Sequence, residues 1–461
     1  MGKDDITIGV IATRRDVFSA SEAQKHKDIT IKKLKSLGIS IVDIDDVNSE
    51  GLLFSEKDLP AVVKKMKRTG IDGVFFPHCN FGTEDLVAKA AAKVGKPVLL
   101  WGPRDDAPLE DGLRTRDTQC GLFATGKILR RFNVPFTYIE NCRADDAVFA
   151  KGFKDFVLVC SVVKAFRGLR VLQVGPRPAG FWSVICNEGE LLERFGIQVT
   201  PVSLIDIVMK TEGLLRDEPA EFYEAMEIIR GVMDCADVPT EILDKITALK
   251  VVLKELCFEN GCTSIAIQCW NSLQDGLGIM PCTVNGLLMD EGIPVACETD
   301  IHGAVSAVLL QAAAGNHSPV FFADLTVRHP ENDNAELLWH CGNFPPSIAR
   351  EGCEKKLGKH FIFPGHEYGT GEWELMEGDI TICRFDGDHG EYLLFAGEGR
   401  AVDGPKTKGT YVWFEVPDWP AWEKKLVEGP YIHHCAGVYG NYAGILAEAC
   451  KYIPGLSIDL P

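Results

Sequence analysis

No stretch of this chain approaches the roughly 18 consecutive apolar residues that a membrane-spanning helix requires, so a helical membrane protein is excluded. A basic face for phosphate is missing too. Sixty-six acidic against 48 basic residues leave a formal charge of −18, which opposes nucleic acid or an anionic membrane as a partner. The 16 cysteines are scattered over 461 residues without one CxxC pair, which argues against a disulfide scaffold. Cys160 and Cys297 sit inside apolar runs as small buried hydrophobes, and a reducing cytoplasm is the expected compartment. No long apolar core follows a basic start at MGKDDITIGVIATRR, so no secretory signal is expected. The loop Gly175–Gly180 stands where a phosphate loop would, between a strand and a helix. It has neither GxGxxG nor GxxxxGK[ST], and its two prolines remove N–H donors, so it reads as a tight turn.

The remainder is ordinary globular composition: 46% hydrophobic and 25% charged residues, with a mean hydropathy of +0.01. A chain this long divides into two to four domains. Apolar runs at Ile6–Ile11, Ile39–Val42, Gly73–Phe76, Val98–Trp101 and Phe136–Ile139 alternate with helical patterns. One helix runs through Leu34 to Gly38, one starts at a capping-box-like Ser55 and Asp58, and one covers Leu122–Phe132. A second series follows at Arg170–Val174, Gln198–Ser203, Ser264–Gln268, Val295–Glu298 and Val320–Ala323, with two helices carrying Pro219 and Pro239 in their first turns. After Pro345 short strands and Gly/Asp turns take over, at Phe361–Phe363, Asp379–Cys383, Glu391–Phe395 and Thr410–Glu415. The fold class is therefore α/β: two doubly wound parallel-sheet domains, 1–166 and 167–317, then a β-rich, barrel-like C-terminal domain, 318–461.

Chemistry concentrates between Val295 and His340. An apolar run ends in Glu298, a helical pattern covers His302–Ala314, and a second apolar run ends in Asp324. In a right-handed strand–helix–strand unit both carboxylates stand at the ligand-binding edge of one parallel sheet. His340 follows after a short loop. Oxygen and imidazole donors suit Mn²⁺, Co²⁺ or Mg²⁺. Cys297 is expected on the opposite strand face from Glu298 and is not proposed as a ligand. His433 and His434 precede a Gly-rich stretch, one ring free to ligate while its neighbour faces away. His78 ends a strand of the first domain, with Thr83 as the cap of the next helix.

These segments together resemble the L-fucose/L-arabinose isomerase superfamily, and specifically its shorter L-fucose isomerase-like members. Ala296–Ala304, Phe322–Asp324 and Trp339–Asn343 resemble the metal-binding core of that family, His78–Glu84 its first-domain signature, and His433-His434 its last ligand motif. The resemblance implies that Glu298 and Asp324 are metal ligands and also acid and base. It places the late histidine ligand at His434, with His433 one residue away, and His340 as a further ligand. Arg14 or Arg15, His78, Gln268, Trp270 and His433 fall where the family contacts sugar. A homo-oligomer, hexamer or trimer, is implied, in which first-domain residues complete a neighbour's site. The expected function is a metal-dependent aldose–ketose isomerase acting on a free sugar through an enediol(ate). The alternatives are a metal-dependent epimerase, lyase or hydrolase on the same ligands, or a non-catalytic sugar-binding homologue. A deoxy sugar, a pentose and a C6-sulfonated hexose stay open as substrates. Arg14, Arg15 and Arg177 speak for the last, against surface ion pairing for the same three.

Overall fold

The computed structural model describes residues 6–362, 365 and 367–461. The chain divides into two compact units, Met1–Lys164 and Ala165–Pro461.

The first unit carries a parallel sheet of five strands: β1 (Thr7–Val10), β2 (Ser40–Val42), β3 (Gly73–Pro77), β4 (Val98–Trp101) and β5 (Thr137–Tyr138), in the order β2-β1-β3-β4-β5. Strand order reverses beside β1, which makes the sheet doubly wound, and helices cover both faces. One core cluster holds Val74, Phe76 and Leu100, the other Phe75, Leu99 and Trp101, as alternation along central strands requires. The helix Ala20–Ser36 ends at Gly38, whose φ of 72° is the left-handed conformation glycine adopts freely. Ser55 makes no capping hydrogen bond; a turn of 3₁₀ helix over Glu56–Asp58 leads into Leu59–Arg68 instead. Thr83 occupies the N-cap position of Glu84–Val94, but its hydroxyl donates to the Arg14 carbonyl.

The second unit contains two sheets. Four parallel strands, β6 (Arg170–Val174), β7 (Gln198–Val202), β8 (Ser264–Ile267) and β9 (Val295–Ala296), lie in the order β7-β6-β8-β9. Pro219 and Pro239 stand at the N-caps of their helices rather than inside the first turn. The other sheet, largely antiparallel, comprises β10 (Phe321–Arg328), β11 (Ala335–His340), β12 (Lys356–Lys359), β13 (Tyr368–Glu374), β14 (Asp379–Asp388), β15 (Glu391–Val402), β16 (Thr410–Glu415), β17 (His434–Tyr439) and β18 (Leu456–Asp459). Six of these close on themselves in the order β16-β11-β10-β17-β14-β15, with β15 pairing back to β16. The result is a six-stranded barrel. Phe361 and Ile362 are not in a strand, and Phe363 of the expected strand lies outside the described residues.

One expectation is overturned. Val320–Ala323 does not join the parallel sheet of Val295; it opens β10, a barrel strand antiparallel to both β11 and β17. The run is apolar throughout because both faces of β10 are covered. Phe321 and Ala323 point into the barrel core, while the Phe322 ring meets Gly303 of the helix Ile301–Ala313. That helix is buried on every side, packed against β14 and β17 of the barrel and β6, β8 and β9 of the parallel sheet. It carries the chain from the end of one sheet to the wall of the other.

The barrel wall is close-packed beside the site. A methyl group on Gly437 of β17 would stand 2.2 Å from the Phe321 ring. Gly437→Ala is expected to destabilise this unit by about 1–3 kcal/mol through overpacking. A lower urea midpoint at constant m value checks it.

Candidate active site

Glu298 follows β9, but the strand stops at Ala296. Glu298 and Thr299 both take left-handed backbone, with φ of 52° and 57°. This turn re-aims the chain before Asp300 caps the helix Ile301–Ala313 by accepting from the Gly303 N–H at 2.9 Å. The Glu298 carboxylate is buried, and its two oxygens are treated differently. Oε1 accepts from Trp270 Nε1 at 3.0 Å and from Cys269 Sγ at 3.2 Å. Oε2 has no hydrogen-bond partner. Two donors thus fix the side chain and leave one oxygen presented.

That oxygen faces the barrel wall. Asp324 and His434 are cross-strand partners on β10 and β17, on the face opposite to Phe321, Ala323 and Cys435 of the barrel core. His434 Nε2 lies 3.6 Å from Glu298 Oε2 and 3.4 Å from Asp324 Oδ1. Asp324 Oδ1 is likewise buried without a hydrogen-bond partner. The two acids therefore meet at the junction of two sheets, one from each, rather than along one parallel edge.

His434 is held from behind. Its Nδ1 makes a 2.9 Å hydrogen bond to Asp300 Oδ2, so the ring donates there and leaves Nε2 with a bare lone pair. Asp300 in turn forms an ion pair with Arg384. Arg384 Nε reaches Asp386 at 2.8 Å, and Asp386 binds His302 Nδ1 at 2.9 Å. All five side chains are buried. Burial opposes the Asp300 charge, yet Arg384 and His434 hold its carboxyl well below the usual range. Burial likewise opposes a charged His434, but the Asp300 hydrogen bond and Asp324 raise it above its ordinary value. Burial itself, ahead of the Cys297 thiol, pushes the Glu298 carboxyl up.

His340, at the end of β11, differs. Its Nδ1 accepts the Cys341 backbone N–H at 2.9 Å, so the neutral ring carries its proton on Nε2. That atom lies 3.9 Å from Glu298 Oε2 and has no hydrogen-bond partner. The tautomer suits a proton donor better than a ligand.

Gln268 and Trp270 follow β8 and, with Pro178–Phe181 after β6, line a cavity of about 390 Å³. It opens at the carboxyl ends of adjacent strands, where α/β sheets take their ligands. Phe181 meets the Trp270 ring edge-on at 5.3 Å and lies 6.5 Å from the ring of His433, which is exposed. None of the cavity's lining side chains is charged. Arg177 Nη1 donates to the carbonyls of Pro178, Ala179 and Phe181, bracing its own loop. A larger cavity, about 600 Å³, shares only His433 with this centre.

The first unit holds the remaining candidates. Arg14 is buried, paired with Glu50 at 2.7 Å and stacked 3.7 Å over Phe54. Arg15 is half-exposed, 4.2 Å over the Phe81 ring and 3.7 Å from Glu84. His78 is fully buried; Nδ1 contacts the Phe81 carbonyl at 2.8 Å and Nε2 has no partner. Burial lowers it from 6.5 to about 4. The unfolded chain therefore binds the extra proton between those values, so stability is present above pH 6.5 and is lost as pH falls towards 4. The slope is at most about 1.4 kcal/mol per pH unit. His78→Asn is expected to flatten it, read by urea unfolding of the full chain at several pH values.

The donors fit a divalent cation: two carboxylate oxygens buried without partners each stand within 3.6 Å of His434 Nε2, the nitrogen that the Asp300 hydrogen bond to Nδ1 leaves to ligate. Sequence reasoning missed Asp300, Arg384, Asp386 and His302. The N-cap position of Asp300 and the pair Arg384/Asp386 within an otherwise apolar strand were the available signals.

Comparison with known proteins places the sequence in a family. Residues 9–167 match the fucose/sulfoquinovose isomerase N-terminal domain, and residues 338–459 the L-fucose isomerase C-terminal domain. The chain belongs to the L-fucose isomerase-like superfamily. It is a sugar aldose–ketose isomerase. Among L-fucose isomerase-like relatives, the sulfoquinovose isomerase of Priestia aryabhattai is 24% identical over 96% of this chain and 96% of its own. That of Alkalicoccus urumqiensis is 26% identical over 77% and 78%. That of Clostridium sp. (strain MSTE9) is 28% identical over 71% and 72%.

Proposed function

We propose that this chain is a divalent-cation-dependent isomerase of a C6-sulfonated hexose, with sulfoquinovose as the substrate of first choice. The observation that carries the reading is the meeting of Glu298 Oε2, Asp324 Oδ1 and His434 Nε2 beside a sugar-sized cavity. The relatives' substrate supports the sulfonated sugar.

Isomerisation moves a proton between C1 and C2 while the carbonyl shifts, and the barrier is the charge that develops on the two oxygens. A divalent ion, Mn²⁺, Co²⁺ or Mg²⁺, held by Glu298, Asp324 and His434 supplies Lewis-acid stabilisation of that charge. Glu298 and Asp324, whose Oε2 and Oδ1 have no hydrogen-bond partner, are the carboxylates placed to take and return the proton. Trp270 and Cys269 keep Glu298 aimed by holding Oε1. Asp300 keeps the His434 lone pair forward. His340 offers its Nε2 proton to an oxygen on the substrate or on Glu298. Phe181 and Trp270 give the sugar an apolar wall that excludes water. That wall carries no charged side chain. A homo-oligomer of trimer or hexamer type belongs to the same reading.

A panel of aldoses tests it: sulfoquinovose, L-fucose and a pentose, each with chelator-treated protein and after adding back Mn²⁺, Co²⁺ or Mg²⁺. The partner ketose of sulfoquinovose is expected, formed only with metal and fastest among the sugars. Turnover of the neutral sugars alone would overturn the substrate, and full turnover in chelator would overturn the metal.

A further inference from the structure

We propose that this centre has a second, thiol-lined face that binds a thiophilic divalent cation of the zinc or cadmium kind. Cys269 follows β8 and Cys297 follows β9, so two neighbouring parallel strands each end in a thiol beside Glu298. One donor atom from each of Cys269, Cys297 and Glu298 lies within 4.8 Å of the others, and all three residues are buried. Cys269 Sγ is 3.2 Å from Glu298 Oε1.

A second observation sets Cys297 apart from an inert buried thiol. Two amides, Asn285 Nδ2 at 3.5 Å and Asn343 Nδ2 at 3.3 Å, both donate to its sulfur. Both asparagines are fully buried. The two amides hold the sulfur in place beside Glu298, as ligands of a thiol-bound cation must be held. The expectation that Cys297 points away from Glu298 fails because the strand has already ended and the backbone turns left-handed at Glu298.

The centre is thus two-sided. Asp324 and His434 offer oxygen and nitrogen on one side of Glu298, and two sulfurs stand on the other. A hard ion prefers the first set and a soft ion the second. Binding on the thiol side replaces two S–H bonds by two S–metal bonds, releases two protons to water and changes no oxidation state. Because Glu298 belongs to both sets, occupation of the thiol face draws it from the position that isomerisation uses. This competition rests on the isomerase reading; the thiol site itself does not.

The full-length protein, stripped of metal, is titrated with Cd²⁺ and read by thiolate-to-cadmium charge-transfer absorption and by ¹¹³Cd NMR. One ion with a thiolate-type resonance is expected. Cys269→Ser and Cys297→Ser should each weaken it by at least about 100-fold, because losing a ligand exceeds the roughly 10–100-fold of a lost outer partner. Cys160→Ser, outside the proposed ligand set, should leave it unchanged. A resonance of the oxygen and nitrogen type in the unmodified protein overturns the proposal without relying on any variant. A thiolate band that survives in both serine variants overturns it too, by placing the ion on other cysteines. Cadmium bound through thiolates with no loss of isomerase activity would keep the site and overturn the competition.

Discussion

Glu298→Gln and Asp324→Asn each lower kcat by roughly 10²–10⁴-fold, the range of a lost general acid or base. Gln at 298 retains an oxygen to accept from Trp270 and Cys269, so the side chain stays anchored while an amide NH2, neither base nor ligand, replaces the presented oxygen. Asn at 324 keeps the volume on β10 and neutralises the oxygen that faces His434. Loss of a ligand and loss of a base are separated by measuring Mn²⁺ affinity alongside kcat at saturating metal. A variant that turns over normally with full metal loading removes that residue from the mechanism.

Asp300→Asn carries the second large effect, although Asp300 sits behind the imidazole and not at the presented oxygens. Asparagine caps a helix as well as aspartate does, so the N-cap to Gly303 survives the change. What disappears is the charge that faces Arg384 and orients His434. Arg384 keeps Asp386 but loses the second carboxylate of a buried ion pair, which costs up to about 3–5 kcal/mol. A His434 ring free to take either tautomer weakens Mn²⁺ binding by about 10–100-fold. Affinity by calorimetry and stability by urea unfolding read the two consequences independently. Unchanged Mn²⁺ affinity at reduced stability would make Asp300 a packing residue and nothing more.

Most of the parallel sheets was readable from the sequence, because strands buried on both faces appear as short apolar runs closed by polar turns. That same signal misplaced β10. A barrel strand with Phe321 in the barrel core and Phe322 against the helix at Gly303 is as apolar as a central parallel strand. Nothing local distinguishes the two. Glu298, Asp324 and His434 were legible as residue types at strand ends, but their meeting was not. It depends on a helix that bridges two sheets and on a left-handed turn at Glu298 and Thr299. The chain from His302 to His434 through Asp386, Arg384 and Asp300 joins residues up to 134 positions apart, beyond any periodicity. Charged residues inside an apolar strand and the N-cap position of Asp300 were the available clues.

The central claim is that carboxylates of this centre move a proton between C1 and C2 of a sugar. Metal-loaded protein incubated with sulfoquinovose in D₂O, followed by NMR, tests it most directly. The partner ketose is expected to form, with solvent deuterium entering the positions that exchange their proton. The same experiment with Glu298→Gln is expected to show neither. Ketose formed with the original C2 hydrogen carried wholly to C1 and no solvent deuterium there would contradict proton exchange through these carboxylates, and sulfoquinovose left unconverted would contradict the proposed substrate.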